Sequence, residues 1–226
     1  MNQTVIACRT IEDELAAAME RTGCEAEVLW LESGLHERPK KLGAALQELV
    51  DEIRAERVLL ALGSCGGALE GLRAGGCELV LPRVDDCISL LLGSVERRMR
   101  IGEEYAAYFL TEGWLRGERN LFALYRDTEE KYGRETTDEL MGMMFGHYRT
   151  LGLLDSGLVP VERVAEQTAP IADKIGLRTV VFPAGTEYLE QLLTGPWPTE
   201  RFVRKAPGER ITAADLYPDG IRPALQ

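Results

Sequence analysis

Five cysteines and two histidines are the residues of this chain best suited to soft-ligand or nucleophilic chemistry: Cys8, Cys24, Cys65, Cys77, Cys87, His36 and His147. No two of the cysteines stand in a C-x-x-C pair. Any shared site must therefore be assembled by the fold. Gly63-Ser64-Cys65-Gly66-Gly67 has the form G-x-C-x-G. Small neighbours of this kind let a strained strand-to-helix turn expose a nucleophile. Cys8, Cys65 and Cys87 each follow a short apolar run, and His36 follows another, in ESGLHERP. Three thiolates and an imidazole form a common tetrahedral zinc set, and the same donors hold iron–sulfur clusters. The intervals between the four residues, 28, 29 and 22, match no known metal-binding spacing.

These residues need a framework. Thr4–Ala7, Glu27–Leu31, Val58–Leu62 and Leu79–Leu81 read as strands, and the third is apolar throughout, as a strand buried on both faces should be. Between them, Leu42, Ala45, Leu46, Leu49, Val50 and Ile53 recur at helical spacing. Thr10 is placed to cap a first helix whose opening turn holds Glu12, Asp13 and Glu14, with Gly23 ending it. Helices are also predicted over 66–74, 87–100, 161–175 and 187–193, a further strand over 179–182, and an edge strand over 202–205. Regular alternation of this kind predicts an α/β, Rossmann-like three-layer fold with a mostly parallel sheet. We read residues 1–226 as one domain. From 101 to 150 strands are not apparent, and two or three helices broken at Gly113, Gly117 and Gly133 are predicted as a helical insertion or lid over the sheet edge. The tail after Leu216 reads as irregular.

In a parallel sheet, ligands bind beyond the carboxyl ends of the strands. Cys8, His36, Cys65 and Cys87 fall at that edge; Cys24 and Cys77 fall at the opposite one. Each of the three cysteines also precedes or opens a predicted helix, whose positive end favours a thiolate. The expectation is a metal site of Cys8, His36, Cys65 and Cys87 for zinc or an iron–sulfur cluster. The competing readings are small buried cysteines packing the strand ends, and a nucleophile at Cys65 with His36 or His147 as base. The G-x-C-x-G stretch also resembles the cysteine elbow of class I amidotransferases. Arg9 and Arg83 lie beside the site and could bind an anionic cofactor group or simply pair with nearby acids. Asp85 and Asp86 are placed to cap the helix at Cys87, and Arg97, Arg98 and Arg100 read as a solvated helix end. Tyr105, Tyr108, Phe109 and Trp114 would form the interface of the insertion or roof a small-molecule pocket.

The net charge is −11, and no basic stripe with interleaved aromatics is present, which disfavours nucleic acid as a partner. No apolar run is long enough to span a membrane and no signal peptide is evident, so a cytoplasmic location with reduced thiols is expected.

Several segments, taken in order, resemble one family: LHERP, GSCGG, LPRVDDCISLLLGS, YFLTEGW and GTEYLEQLLTG. The chain resembles the DUF1638 family over almost its whole length. The resemblance implies a soluble prokaryotic protein that occurs alongside corrinoid-dependent methyltransferase systems. Corrinoid or methyltransferase proteins are then the expected partners, in methyl or one-carbon metabolism. By resemblance, the matching positions are Cys8, His36, Cys65 and Cys87. Asp85 departs from the pattern, since many relatives carry a histidine there.

Overall fold

A computed structural model of the chain describes residues 2–32, 34–117, 120–218 and 220. In order, the elements are β1 (Gln3–Cys8), α1 (Glu12–Thr22), β2 (Glu27–Leu31), α2 (Pro39–Glu52), β3 (Arg57–Ala61), β4 (Glu78–Pro82), α3 (Cys87–Leu92), α4 (Val95–Tyr105) and β5 (Ala107–Leu110). They continue with α5 (Glu112–Arg116), α6 (Leu121–Tyr132), α7 (Arg134–Phe145), β6 (Thr150–Asp155), α8 (Val161–Lys174), β7 (Arg178–Pro183), α9 (Glu187–Thr194), β8 (Phe202–Lys205) and α10 (Ala213–Leu216).

The main sheet has the order β2-β1-β3-β4-β8. All its neighbours run parallel except β8, which pairs antiparallel with β4. Side chains alternate across the sheet, as the two-residue period of a strand requires. Val5, Ala7, Leu59, Ala61 and Val80 face one core together with Leu15 and Ala18 of α1. Ile6, Val58, Leu60, Leu79 and Leu81 face the other, with Leu42, Leu46 and Val50 of α2. This is the three-layer, Rossmann-like α/β arrangement that the alternation of elements predicts. Helices α1 and α2 lie on opposite faces, so the connections part between β1 and β3. The crevice beyond their carboxyl ends is where such sheets bind ligands.

A second sheet, β5-β6-β7, is parallel throughout. Two of its strands were not legible as such: Ala107–Leu110, within the stretch expected to be helical, and Thr150–Asp155. Ala107, Phe109, Leu154 and Phe182 bring one face of this sheet into the core of β1 and α1. Its other face packs Leu151 and Leu153 against Val164 and Ala172 of α8.

Three further expectations are corrected. Residues 66–74 form successive turns rather than a helix. Gly66, Gly67 and Gly71 take φ of 70°, 86° and 90°, which a right-handed helix cannot accommodate. The helix expected over 87–100 is two, parted at Gly93 (φ 86°) and restarted by Ser94, whose hydroxyl accepts from the Arg97 amide. Arg98 is not solvated: it is buried against Asp85 and Asp86. Residues 221–226 of the tail lie outside those described.

Candidate functional site at the carboxyl edge

Three thiols meet at the crevice. Cys87 holds the middle position, and its thiol interacts with those of both Cys65 and Cys8. Cys65 and Cys87 are buried, Cys8 is half-buried, and all three are free thiols. The neighbouring Cys87 and burial push the Cys8 thiol well above the ordinary cysteine range, and the neighbouring Cys65 and burial push the Cys87 thiol above it too. They are neutral at physiological pH.

Local structure explains the convergence. Cys8 closes β1 and Cys87 opens α3, where the Asp86 carboxylate caps the helix by accepting from the Ser89 amide at 2.8 Å. Cys65 sits on the turn after β3 at φ 42°, a left-handed conformation uncommon for a residue with a side chain. Two bonds hold that turn to the neighbouring loop: Ser64 N–H to Val84 O at 3.0 Å and Cys65 N–H to Asp85 O at 2.8 Å. Gly63 permits the approach, because a Cβ there would lie 2.4 Å from Asp86 Cα. Ser64 Oγ meets the Tyr217 hydroxyl at 2.6 Å, fastening the same turn to the C-terminal segment.

Thr10 does not cap α1 as expected. Its hydroxyl donates to Cys8 Sγ at 3.1 Å and lies 3.6 Å from Cys87 Sγ. Its carbonyl receives α5 closely: a Cβ on Gly113 would fall 2.2 Å from Thr10 O. Sequence reasoning missed Thr10 as a thiol partner; its place two residues after Cys8 was the available signal.

His36 lies on a short 3-10 turn before α2, and its ring stacks on Trp114 of α5 at 5.7 Å. Burial lowers its pKa, so the imidazole is neutral at pH 7. The path from His36 to Cys8 runs through Trp114, Gly113 and Thr10. Among the described residues, no three or more His, Cys, Asp and Glu side chains form a preassembled metal-binding group.

The anchoring of Cys87 continues outward. Asp85 accepts from the Ser89 hydroxyl and from the Asp86 amide. Arg98 reaches from α4 to both carboxylates, with Nε 3.0 Å from Asp86 and a guanidinium nitrogen 3.8 Å from Asp85. Burial and the neighbouring Asp85 charge raise the Asp86 pKa to about 6, against the pull of Arg98.

The two candidate cofactor arginines are engaged by the protein itself. Arg9 pairs with Glu32 at 3.1 Å and Glu12 at 3.3 Å. Arg83 donates to the carbonyls of Thr199 and Asp215 on the wall of a cavity of about 980 Å³. The aromatic residues serve the interface between the sheets. Phe109 is fully buried, Tyr105 meets Phe182 edge-on, and Tyr108 packs with Phe145 and Tyr148. His147 lies against Tyr148. Cys77 is buried in the α2-side core, and Cys24 accepts from the Gln3 amide, both away from the three thiols.

Fold and site together define an α/β protein with a reduced three-cysteine cluster at the switch point of a parallel sheet. The chain belongs to the DUF1638 family, described as a protein of unknown function, whose model matches residues 30–193. That span takes in His36, Cys65 and Cys87 and begins after Cys8. No curated protein and no solved structure matches the chain. No helix among the described residues is long and apolar enough to cross a membrane.

Proposed function

We propose that Cys8, Cys65 and Cys87 bind one soft metal centre, zinc or an iron–sulfur cluster, with His36 as candidate fourth donor. The observation that carries this reading is the meeting of three thiols from three separate segments, the end of β1, the turn after β3 and the start of α3, at the β1/β3 crevice. Cys8, Cys65 and Cys87 would hold a soft cation as thiolates, and its positive charge would favour that form. Neutral His36 has the protonation state of a ligand and stacks on Trp114, whose neighbour Gly113 packs on Thr10. With His36 bound the zinc site is closed and structural; with that position open it can activate a thiol or another small molecule. Corrinoid or methyltransferase partners in one-carbon metabolism, and a cytoplasmic location that keeps the thiols reduced, rest on the family resemblance and on cysteine usage.

One observation favours a second reading, a cysteine-nucleophile transferase or hydrolase. Cys65 has the positive φ of a residue held on a strained elbow. Against it stand the burial of Cys65 and a neighbour that is another thiol rather than an imidazole.

The test is metal analysis and a visible spectrum of anaerobically purified protein. About one zinc per chain, or iron with sulfide, is expected. Cys8→Ser, Cys65→Ser and Cys87→Ser should each lose the metal, and His36→Ala should weaken its retention. A metal-free protein in which Cys65 alone alkylates rapidly would overturn the metal reading and establish the nucleophile.

A further inference from the structure

We propose a binding site for a small organic anion, a carboxylate or a phosphate ester, in the cavity beyond the carboxyl end of β4. The cavity measures about 980 Å³ and carries Arg83 and Arg201 on its wall. A volume of this order holds a small organic molecule. The inference stands whether or not a metal occupies the thiols.

Three observations converge. First, two like charges are set face to face. The register of β4 on β8 pairs Pro82 with Phe202, and the Arg83 amide donates to the Arg201 carbonyl at 2.7 Å, so the two arginines are the next cross-strand pair. Like charges in that position repel, and an anion held by both removes the repulsion. Second, no carboxylate of the protein takes that place. Neither arginine forms an ion pair among the described residues. Arg83 donates only to the carbonyls of Thr199 and Asp215, which are neutral, and the Arg201 guanidinium lies 4.0 Å over the Tyr188 ring. The acids of the same wall are placed otherwise: Asp85 faces Arg98, Asp215 pairs with Lys205 at 2.8 Å, and Glu96 and Glu200 are exposed at the rim. Both arginines are half-buried, so solvent screens them less than those glutamates. Third, both charges act on one group of the cavity wall. Burial raises the Tyr188 pKa, and Arg201 and Arg83 oppose the rise.

The rest of the wall suits an organic body, since Val95, Met99 and Leu216 line it. A guanidinium matches the paired oxygens of a carboxylate or a phosphate, so the two arginines fix the anionic end and the apolar side chains cover the remainder. The cavity also backs onto the thiol site. Asp85, whose carbonyl receives the Cys65 amide, and Tyr217, whose hydroxyl meets Ser64 Oγ, both line it. A ligand there rests against the two contacts that hold the Cys65 turn.

The probes are benzoate and phenyl phosphate, which share a ring and differ in the anion. Each is titrated calorimetrically into the full-length protein at physiological ionic strength. Saturable binding of at least one is expected, weakening as salt rises, and the tighter of the two identifies the anion. Benzyl alcohol, which has the ring and no charge, should bind at least ~tenfold more weakly. Arg201→Gln should weaken anion binding at least ~tenfold, a loss of about 1.4 kcal/mol. The thermal midpoint of the free variant should match the wild type, since relief of the repulsion with Arg83 offsets the lost ring contact. Arg126→Gln, an exposed arginine on α6, should leave binding unchanged. Absence of binding by both probes, equal affinity in Arg201→Gln, or equal binding of benzyl alcohol would overturn the proposal.

Discussion

Two glycines set the geometry of the thiols without carrying any chemistry. Gly63 lets the turn after β3 lie directly on Asp86, and Gly113 lets α5 lie on Thr10. Gly63→Ala forces a Cβ to 2.4 Å from backbone, which has no rotamer with which to yield. The loops bearing Cys65 and Cys87 must part. We expect a loss of roughly 3 kcal/mol or more in urea unfolding, with metal content falling in parallel. Gly76→Ala, where nothing lies within 4 Å of the added methyl, should stay within roughly 0.5 kcal/mol. Glu14 tests a different residue-level force. It is buried at the start of α1 and accepts from Ser156 Oγ at 3.1 Å, and burial raises its pKa despite that bond. In the folded state it binds a proton more tightly than when unfolded. Its contribution to stability is therefore complete below the usual carboxylate range and is lost as pH rises through the raised value. Glu14→Gln should unfold at a higher urea concentration than wild type at pH 7. The difference should vanish near pH 4 and below.

At the scale of elements, Arg98 ties α4 to the start of α3. It is the only counter-charge in contact with the buried Asp85–Asp86 pair among the described residues. Removing one partner of such a set leaves uncompensated buried charge, at a cost of roughly 3–5 kcal/mol. Arg98→Met should therefore destabilise strongly by chemical denaturation, whereas Arg100→Met on the exposed side of α4 should not. Element reading from sequence also met its limit here. The continuous apolar runs of β1, β3 and β4 and the helical spacing of α2 were legible because burial imposes a pattern on them. The turns at 66–74 were not, because Ala68, Leu69 and Leu72 are spaced like a helix face while three glycines impose positive φ. Ala107–Leu110 was hidden for another reason. Four residues flanked by helices show no period of their own, and only pairing with β6 defines them as a strand. Arg98 was misread because its neighbours Arg97 and Arg100 resemble a solvated run, while its partners lie on another loop.

At the scale of the molecule, the topology does most to build the site. Placing Cys8, Cys65 and Cys87 on one sheet edge followed from the parallel direction of the strands, and that direction followed from alternation. What sequence left open was the side-chain arrangement: Thr10 across the Cys8 and Cys87 thiols, and His36 held on Trp114. The Cys87 and His36 contacts join elements far apart in sequence, and no local spacing encodes them. The same topology makes metal binding a property of the whole fold. The three cysteines come from loops after β1, β3 and β4, so unfolding any of these strands dismantles the set. A metal that binds only the native arrangement then stabilises the global state by RT ln(1 + [L]/Kd), about 2.7 kcal/mol at a hundredfold excess over Kd. Zinc added to metal-free protein should raise the thermal midpoint and slow hydrogen exchange together in β1, β3 and β4. The Cys65→Ser variant should show neither effect. A zinc response confined to one loop, with exchange in the three strands unchanged, would mean that the thiols do not act as one centre.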